Sequence, residues 1–441
     1  VSKLLCITSG LTGITNASQE VVRQLLDQGH QVDYGSNRDV SAKIADLGVD
    51  FIQLDEISMD PGPKVPFKGR IPRFVYKQLF SRSRKRSALA KMEPVKFEKL
   101  VKKEKYDLLL VDMELHEFII KGHSLGFKVL LLSQWFSNWR IKGLPYLMSD
   151  EIPNQDFDFD KHWNAIDKRR KKTFIKRRLQ SGGTDRYSML PLFAKANNFP
   201  AEYIGKNYWP GPFLYNELPV LSMTAWELEF PHEPRKAMYY IGPMVNEDRR
   251  EDVDPILKSR ILKAKDKGQS IIYCSLSTLH AGDTLFLEKL IEAFKSIANG
   301  LLMVSLGGRL KLSEWDRNSE NVIVMERMPQ LFVLKQADCS INHGGIHTIN
   351  ECIHFSVPML VYSGKKSDQN GCAARVEFHE IGIRGDKDKD DVKTISSKIT
   401  DILTQHKYLV NIERLKQQCK RYQDRQVLSG IVNQYLVEKE A

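Results

Sequence analysis

Two doubly wound α/β domains, each built on a parallel sheet and facing one another across a cleft, are the architecture this sequence predicts. Three observations predict it. Strand-length apolar runs alternate with amphipathic helical segments in both halves of the chain. A proline-rich stretch without periodicity lies between those halves. The 441 residues also exceed the roughly 250 to 300 at which a single core stops growing. With 42% hydrophobic and 27% charged residues, the chain has enough apolar side chains to bury a large core, which excludes the collagenous, disulfide-scaffold and disordered classes. No apolar run approaches the roughly 20 residues of a membrane span, and the opening Val1-Ser2-Lys3 followed by Leu4-Leu5-Cys6-Ile7 is too short for a secretory segment. A cytoplasmic protein is expected.

The elements follow in order. Residues 3–8 read as a buried strand. The loop through Gly10 and Gly13 opens a helix at Asn16, where Asn16 and Gln19 have capping-box spacing, Val21, Val22, Leu25 and Leu26 make one apolar face, and Gly29 is a natural stop. A second strand runs over 31–34. In such sheets ligands sit beyond the carboxyl ends of the strands, so the loop at 9–16 is a candidate active-site loop. Further strands at 106–112, ending on Asp112, and at 127–132 continue the first sheet. Pro210, Pro212, Pro219, Pro231, Pro234 and Pro243 then mark a connection. A second alternation places strands at 270–276, 301–305, 321–325, 338–342 and 357–362, and helices at 282–298, 329–336 and 346–355. The stretch 408–437 is helical, with Leu409, Ile412, Leu415, Cys419 and Tyr422 at helical spacing. The expected division is a first, acceptor-side domain over 1–215, a linker over 216–245, a second domain over 246–407, and a C-terminal helix over 408–441 packing back toward the first domain.

Six scattered cysteines without a C-x-x-C pair suggest neither a zinc site nor a disulfide framework, and buried reduced thiols are expected. Charge is more informative. Before residue 216 there are 35 Lys and Arg against 24 Asp and Glu, and 31 of each after it, so the whole excess of +11 sits in the first half. It concentrates between Lys64 and Lys105, interleaved with Phe67, Phe74, Tyr76, Leu79 and Phe80, and in Lys168-Arg169-Arg170-Lys171-Lys172 with Lys176-Arg177-Arg178 around Phe174 and Ile175. Such runs are either solvated helix faces or surfaces for anionic lipid headgroups. No zinc-finger, RNP or helix-turn-helix signature supports a nucleic-acid partner.

The densest chemistry is Asn342-His343-Gly344-Gly345-Ile346-His347-Thr348-Ile349-Asn350-Glu351, between an apolar strand and a helix. Glycines there let the backbone approach a ligand, and a helix N-terminus offers free N–H groups to an anion, so a phosphate site is the direct inference. With Arg327-Met328-Pro329-Gln330 before it, and Ser356-Val357-Pro358-Met359 and Asp368-Gln369 after it, this order resembles the signature box of the GT-B glycosyltransferases of family 1, the UDP-glycosyltransferase group. Echoes at 271–278, at Glu227-Leu228-Glu229-Phe230-Pro231 and at Tyr240-Ile241-Gly242-Pro243 extend the likeness over most of 215–385.

The resemblance implies two Rossmann-like domains, with a UDP-sugar, UDP-glucose first among them, bound by the second as donor substrate and no separate cofactor or metal. His343, Gly345, His347 and Thr348 would serve the diphosphate, with Ser277 and Thr278 on a phosphate-facing loop. Glu351 would take the ribose, Gln330 the ribose or base edge, and Asp368 and Gln369 the sugar hydroxyls. Arg327 stands where many relatives stack a tryptophan on the base. The family's usual histidine base, in Gly-His-x-Asn-Pro, falls on Gly13-Ile14-Thr15-Asn16-Ala17 with Ile14 in its place, and the partner aspartate falls on Asp112. Isoleucine accepts no proton. Three readings stay open: Asp112 is the catalytic base, ahead of Glu114 and His116; the acceptor is an amine that needs little deprotonation; or the chain binds without catalysing. The expected function is inverting hexosyl transfer from a UDP-sugar to an apolar, lipid-like or amine-bearing small molecule, with the anionic membrane surface as a partner of the basic first domain. A non-catalytic nucleotide-sugar-binding subunit and a sugar-nucleotide epimerase are the alternatives.

Overall fold

The computed structural model describes residues 1–57, 81–206, 213–276, 284–308 and 310–437. Ser277 and Thr278, and the segment 58–80 with Phe67, Phe74, Tyr76, Leu79 and Phe80, lie outside the described residues.

Among the described residues, seven parallel strands form the first sheet: β1 (Lys3–Thr8), β2 (Gln31–Ser36), β3 (Phe51–Gln53), β4 (Leu108–Asp112), β5 (Val129–Ser133), β8 (Val220–Ser222) and β9 (Met238–Tyr240), in the spatial order β3-β2-β1-β4-β5-β8-β9. Between them β6 (Ile204–Lys206) and β7 (Phe213–Tyr215) pair as a small antiparallel ribbon. The second sheet has six parallel strands, β10 (Ser270–Ser275), β11 (Gly300–Ser305), β12 (Val322–Met325), β13 (Cys339–Asn342), β14 (Met359–Tyr362) and β15 (Gly382–Gly385), ordered β12-β11-β10-β13-β14-β15. In both sheets the strand order reverses beside the first strand of the unit, β1 or β10. There neighbouring loops leave the sheet in opposite directions and open a crevice at the carboxyl ends.

β1, β4 and β5 are buried along nearly their whole length, which is why they read as unbroken apolar runs rather than alternating ones. The 216–245 stretch expected as linker instead contributes β8 and β9, which extend the first sheet. Each is three residues long, below the length at which a strand announces itself among prolines. The segment 241–254 joins β9 to the helix Pro255–Asp266 that precedes the second sheet. The first helix spans Thr12–Asp27, four residues earlier than the Asn16 capping box suggests; its N-cap is Leu11, without a side-chain cap. The C-terminal region is two helices, Lys407–Asp424 and Val427–Val437, separated at Gln426 with φ +49°. Leu428, Ile431 and Val432 of the last helix join Val21, Val22 and Leu25 of the first helix in one apolar layer, and Lys128 donates to the carbonyl of Tyr435 at 2.6 Å. The last helix thus covers the first domain, while Lys407–Asp424 packs on the helix Ile346–Phe355 of the second.

All six cysteines are buried and free. The basic run at 168–178 lies on the helix Phe159–Ser181, anchored by buried Trp163, whose indole donates to the Leu144 carbonyl at 2.9 Å. From 171 to 178 every residue is exposed, and basic and apolar side chains do not segregate to separate faces. An interfacial helix needs that segregation. No helix among the described residues is long and apolar enough to cross a membrane.

Candidate active site

The carboxyl ends of the two sheets face one another and touch. The loop after β5 brings Gln134 against the second domain, where its Oε1 lies 3.2 Å from His347 Nε2. Further along, Asn370 Nδ2 donates to the Met148 carbonyl at 3.3 Å. Gly371 packs so closely on Leu147 that a Cβ would fall 2.0 Å from its carbonyl oxygen. The glycine is therefore required by the fit of one domain to the other.

The helix Ile346–Phe355 begins directly beyond β13. Its N-cap is Gly345, in extended conformation and without a side-chain cap of its own; the Ile346 N–H is taken by the Asp368 carboxyl, and the His347 and Thr348 amides fall in the first turn, where the helix ladder supplies no acceptor. Gly344 holds φ +81°, and a Cβ there would lie 2.9 Å from the Gln369 carbonyl. This glycine lets the loop after β13 nest under the loop after β14. Gln369 fixes that second loop by accepting the Gly364 N–H at 2.9 Å. His343 is half-buried with its ring over Gly345, and Thr348 sits half-buried in the first helical turn.

His347 crosses to the first domain. Its ring fills the space beside Gly13, where a Cβ would fall 2.7 Å from His347 Cδ2. Burial, and then the Arg249 charge, push this imidazole down to about 4, so it is neutral at physiological pH. Gly13, at the N-terminal turn of its helix, faces the crevice, whereas Ile14 is fully buried in the apolar layer beneath β1.

Glu351, one turn further along its helix than His347, is buried and held on both oxygens. Arg249 Nη1 donates to Oε1 at 2.6 Å, and Gln330 Nε2 donates to Oε2. Gln330 Oε1 in turn accepts from the Tyr273 hydroxyl at 3.4 Å. Gln330 and Glu351, 21 residues apart in sequence, thus form one unit. Arg327 is exposed on the rim, its guanidinium over Gly308.

Carboxyl groups from both domains meet on the other side of the crevice. Asp112, the last residue of β4, is fully buried and accepts the backbone N–H groups of Ser9 at 3.2 Å and Glu114 at 3.1 Å, one on each oxygen. Burial pushes its pKa up against those hydrogen bonds. Glu114, two residues on, is half-buried. Burial first, then the charges of Asp112 and Asp368, push it up to about 8. Asp368, buried at the start of the helix Gln369–Phe378, is pushed up to about 6 by burial. Arg186 braces this corner, donating to the Glu114 carbonyl at 2.7 Å and to Glu117 Oε1 at 2.9 Å. His116 is buried, with Nδ1 2.8 Å from the Tyr215 hydroxyl, and burial holds it well below the usual imidazole range.

Of the residues anticipated from sequence, Gln330 and Glu351 touch one another, Asp112 and Asp368 each lie within electrostatic reach of Glu114, and His347 reaches the opposite domain. Arg249, Glu251, Gln134 and Arg186 were not anticipated. None lies in a periodic segment or a motif; only the fold brings them to the crevice.

No family model matches the chain. Sequence relatives include the uncharacterized UDP-glucosyltransferase YdhE of Bacillus subtilis (strain 168), 30% identical over 173 residues, which are 39% of this chain and 43% of that protein. The zeaxanthin glucosyltransferase of Pantoea ananas is 28% identical over 176 residues, 39% of each. The chain thus matches about two fifths of the length of these curated relatives. Among solved structures, the glycotransferase of kitacinnamycin superposes with a TM-score of 0.72 over 99% of both chains at 17% identity. SnogD from Streptomyces nogalater does so at 0.59 over 98% of this chain and 99% of that one, at 14% identity. VinC, solved in complex with DTDP, gives 0.57 over 98% of this chain and all of the other, also at 14% identity. Such likeness is one of fold. The two facing parallel-sheet domains are the GT-B architecture of glycosyltransferases.

Proposed function

We propose that this chain is an inverting glycosyltransferase that moves a hexose from a UDP-sugar, UDP-glucose first among candidates, to an apolar, lipid-like or amine-bearing small molecule, without a resident metal. The observation that carries this reading is the N-terminus of the helix Ile346–Phe355, which meets the first domain through His347 and keeps the His347 and Thr348 amides outside its own ladder, with the Gln330–Glu351 pair one turn away. Free amides suit a diphosphate and a buried carboxylate suits a ribose diol. The matched segments of the glucosyltransferase relatives support the same donor class.

In the reaction the acceptor O–H or N–H gives its proton to a carboxylate as the heteroatom attacks the anomeric carbon. The bond from that carbon to the diphosphate oxygen breaks, and its electron pair leaves with the nucleoside diphosphate. Asp112 meets this task poorly by itself, because it is fully buried and each oxygen already accepts a backbone N–H. Glu114, carried on the same turn and less deeply buried than Asp112, is the group we assign to the proton, with Asp112 fixing the turn beneath it.

Calorimetric titration with UDP- and TDP-sugars, followed by mass spectrometry of mixtures containing phenol, amine and lipid acceptors, tests the reading. Binding together with a product heavier by one hexose is expected. Binding without product across the panel would favour the non-catalytic alternative, and no binding would end the donor-site assignment. Within the same titration Glu351→Ala and His343→Ala each weaken the donor by about 10-fold or more, the cost of a charge-assisted or phosphate hydrogen bond.

A further inference from the structure

The segment 241–254 does more than join the sheets. It runs between the helices Thr12–Asp27 and Ile346–Phe355 and fastens both. Asn246 Nδ2 donates to Gln19 Oε1 at 3.3 Å, and Glu247 Oε1 lies 2.6 Å from His354 Nε2. Between these two anchors and the crevice stands Arg249, its side chain 11% exposed. Nη1 donates to Glu351 Oε1 at 2.6 Å and, with the Asn16 amide turned so that its oxygen accepts, to Asn16 at 3.1 Å. Nη2 donates to Glu251 Oε1 at 3.1 Å. Glu251 is itself committed, accepting the Leu331 and Phe332 amides at 3.0 Å each.

Two carboxylates, Glu351 and Glu251, match the charge of Arg249 in this state. The N-terminal turns of the two helices meet where His347 packs on Gly13, so two positive helix ends converge on one point. Behind them stands the guanidinium, whose bond to Glu351 engages the very carboxylate assigned to the ribose. The electrostatic fit improves if an anion occupies the point of convergence. Arg249 is already close enough to depress the basicity of His347, the first-turn residue.

We propose that Arg249 is a catalytic residue that takes the negative charge of the departing nucleoside diphosphate, and that its bond to Glu351 is exchanged for a ribose diol when donor binds. The inference rests on the donor-site reading above and names a residue which that reading does not contain. Ribose O–H groups replace the guanidinium N–H as donors to Glu351. The freed Nη1 turns toward the helix ends, with Nη2 still held by Glu251. There it meets the phosphoryl oxygens on which the electron pair of the breaking sugar–oxygen bond collects.

Calorimetry with uridine, UMP and UDP on the full chain, with Arg249→Ala, Arg249→Gln and Arg249→Lys, tests this. The Ala and Gln variants should lose about 10- to 100-fold in UDP affinity, the worth of a hydrogen bond to a charged group, with uridine affinity unchanged or tighter because Glu351 is released. Arg249→Lys should recover part of the preference for UDP over uridine. An equal loss for uridine and UDP would reduce Arg249 to a brace for Glu351, and tighter UDP binding in the Ala variant would make it a mere competitor; either overturns the proposal. Failure of the unaltered chain to bind any of the three nucleotides would instead overturn the donor-site reading, and this inference with it.

Discussion

Glu114→Gln is expected to lower glycosyl transfer by about 10²- to 10⁴-fold, the usual range for a lost general base, while nucleotide-sugar affinity stays within about 2-fold. The amide keeps the size of the carboxyl and, because the Asp112 contact is made by the Glu114 backbone N–H rather than its side chain, keeps the turn. What it loses is the ability to accept a proton. Burial and the neighbouring charges of Asp112 and Asp368 push Glu114 up to about 8, so the active, ionised form grows as pH rises. Turnover per encounter should therefore climb between pH 6 and 9 with a limb near 8, and the limb should vanish in the variant. The same shift acts on stability with the opposite benefit. The folded chain holds this proton more tightly than the unfolded one, whose carboxyl titrates near 4.5, so its contribution to folding is lost as pH rises through about 8. A flat pH profile in the wild type, or full activity in Glu114→Gln, would remove Glu114 from the chemistry.

The route from sequence to this site was uneven, and the reasons are physical. β1, β4, β5 and β10 to β14 were legible because parallel strands buried on both faces leave continuous apolar runs. The helix Ile346–Phe355 was legible with its true limits, since the glycine pair before it and the apolar positions Ile346, Ile349 and Ile353 fix both its start and its face. β8 and β9 were not, because three-residue strands between prolines are held by pairing to β5 rather than by their own pattern. The first helix began early for a related reason. The capping box at Asn16 is a local preference, and tertiary contacts of Gly13 and Ile14 override it. Asp112 was found by its place at a strand end, but the burial that turns attention to Glu114 depends on the Ser9 backbone, more than a hundred residues away. Arg249 left no trace at all: an arginine in a polar connection looks like solvent-exposed charge until the connection is seen threading between two helices.

Arg375→Ala is expected to cost about 3–5 kcal/mol of stability, the penalty of stranding one member of a buried ion pair. Arg375 is 1% exposed and Glu229, its partner, 3%. Nε donates to Glu229 Oε1 at 2.6 Å, Nη1 to the Gly371 carbonyl at 2.9 Å, and Nη2 also pairs with Glu229. The guanidinium lies between the rings of Phe136 and Phe230, 4.4 and 4.5 Å from their centroids, so its cationic face is satisfied by aromatic quadrupoles while its edge is satisfied by hydrogen bonds. These partners come from separate places: Phe136 from the loop after β5, Glu229 and Phe230 from the stretch between β8 and β9, and Arg375 from the helix beginning at Gln369. The cluster therefore ties the first domain to the helix whose first turn carries Gln369 and which starts beside Asp368. Denaturant unfolding should show the loss as a lower midpoint. Arg375→Lys should recover little, because an ammonium has no planar face to place between the two rings. The double variant Arg375→Leu with Glu229→Gln should lie well above the single Ala variant, since it removes the uncompensated charge rather than leaving it buried. If Arg375→Ala unfolds at the wild-type midpoint, the pair carries no structural weight and the two domains are held by the Gly371 and Gln134 contacts instead.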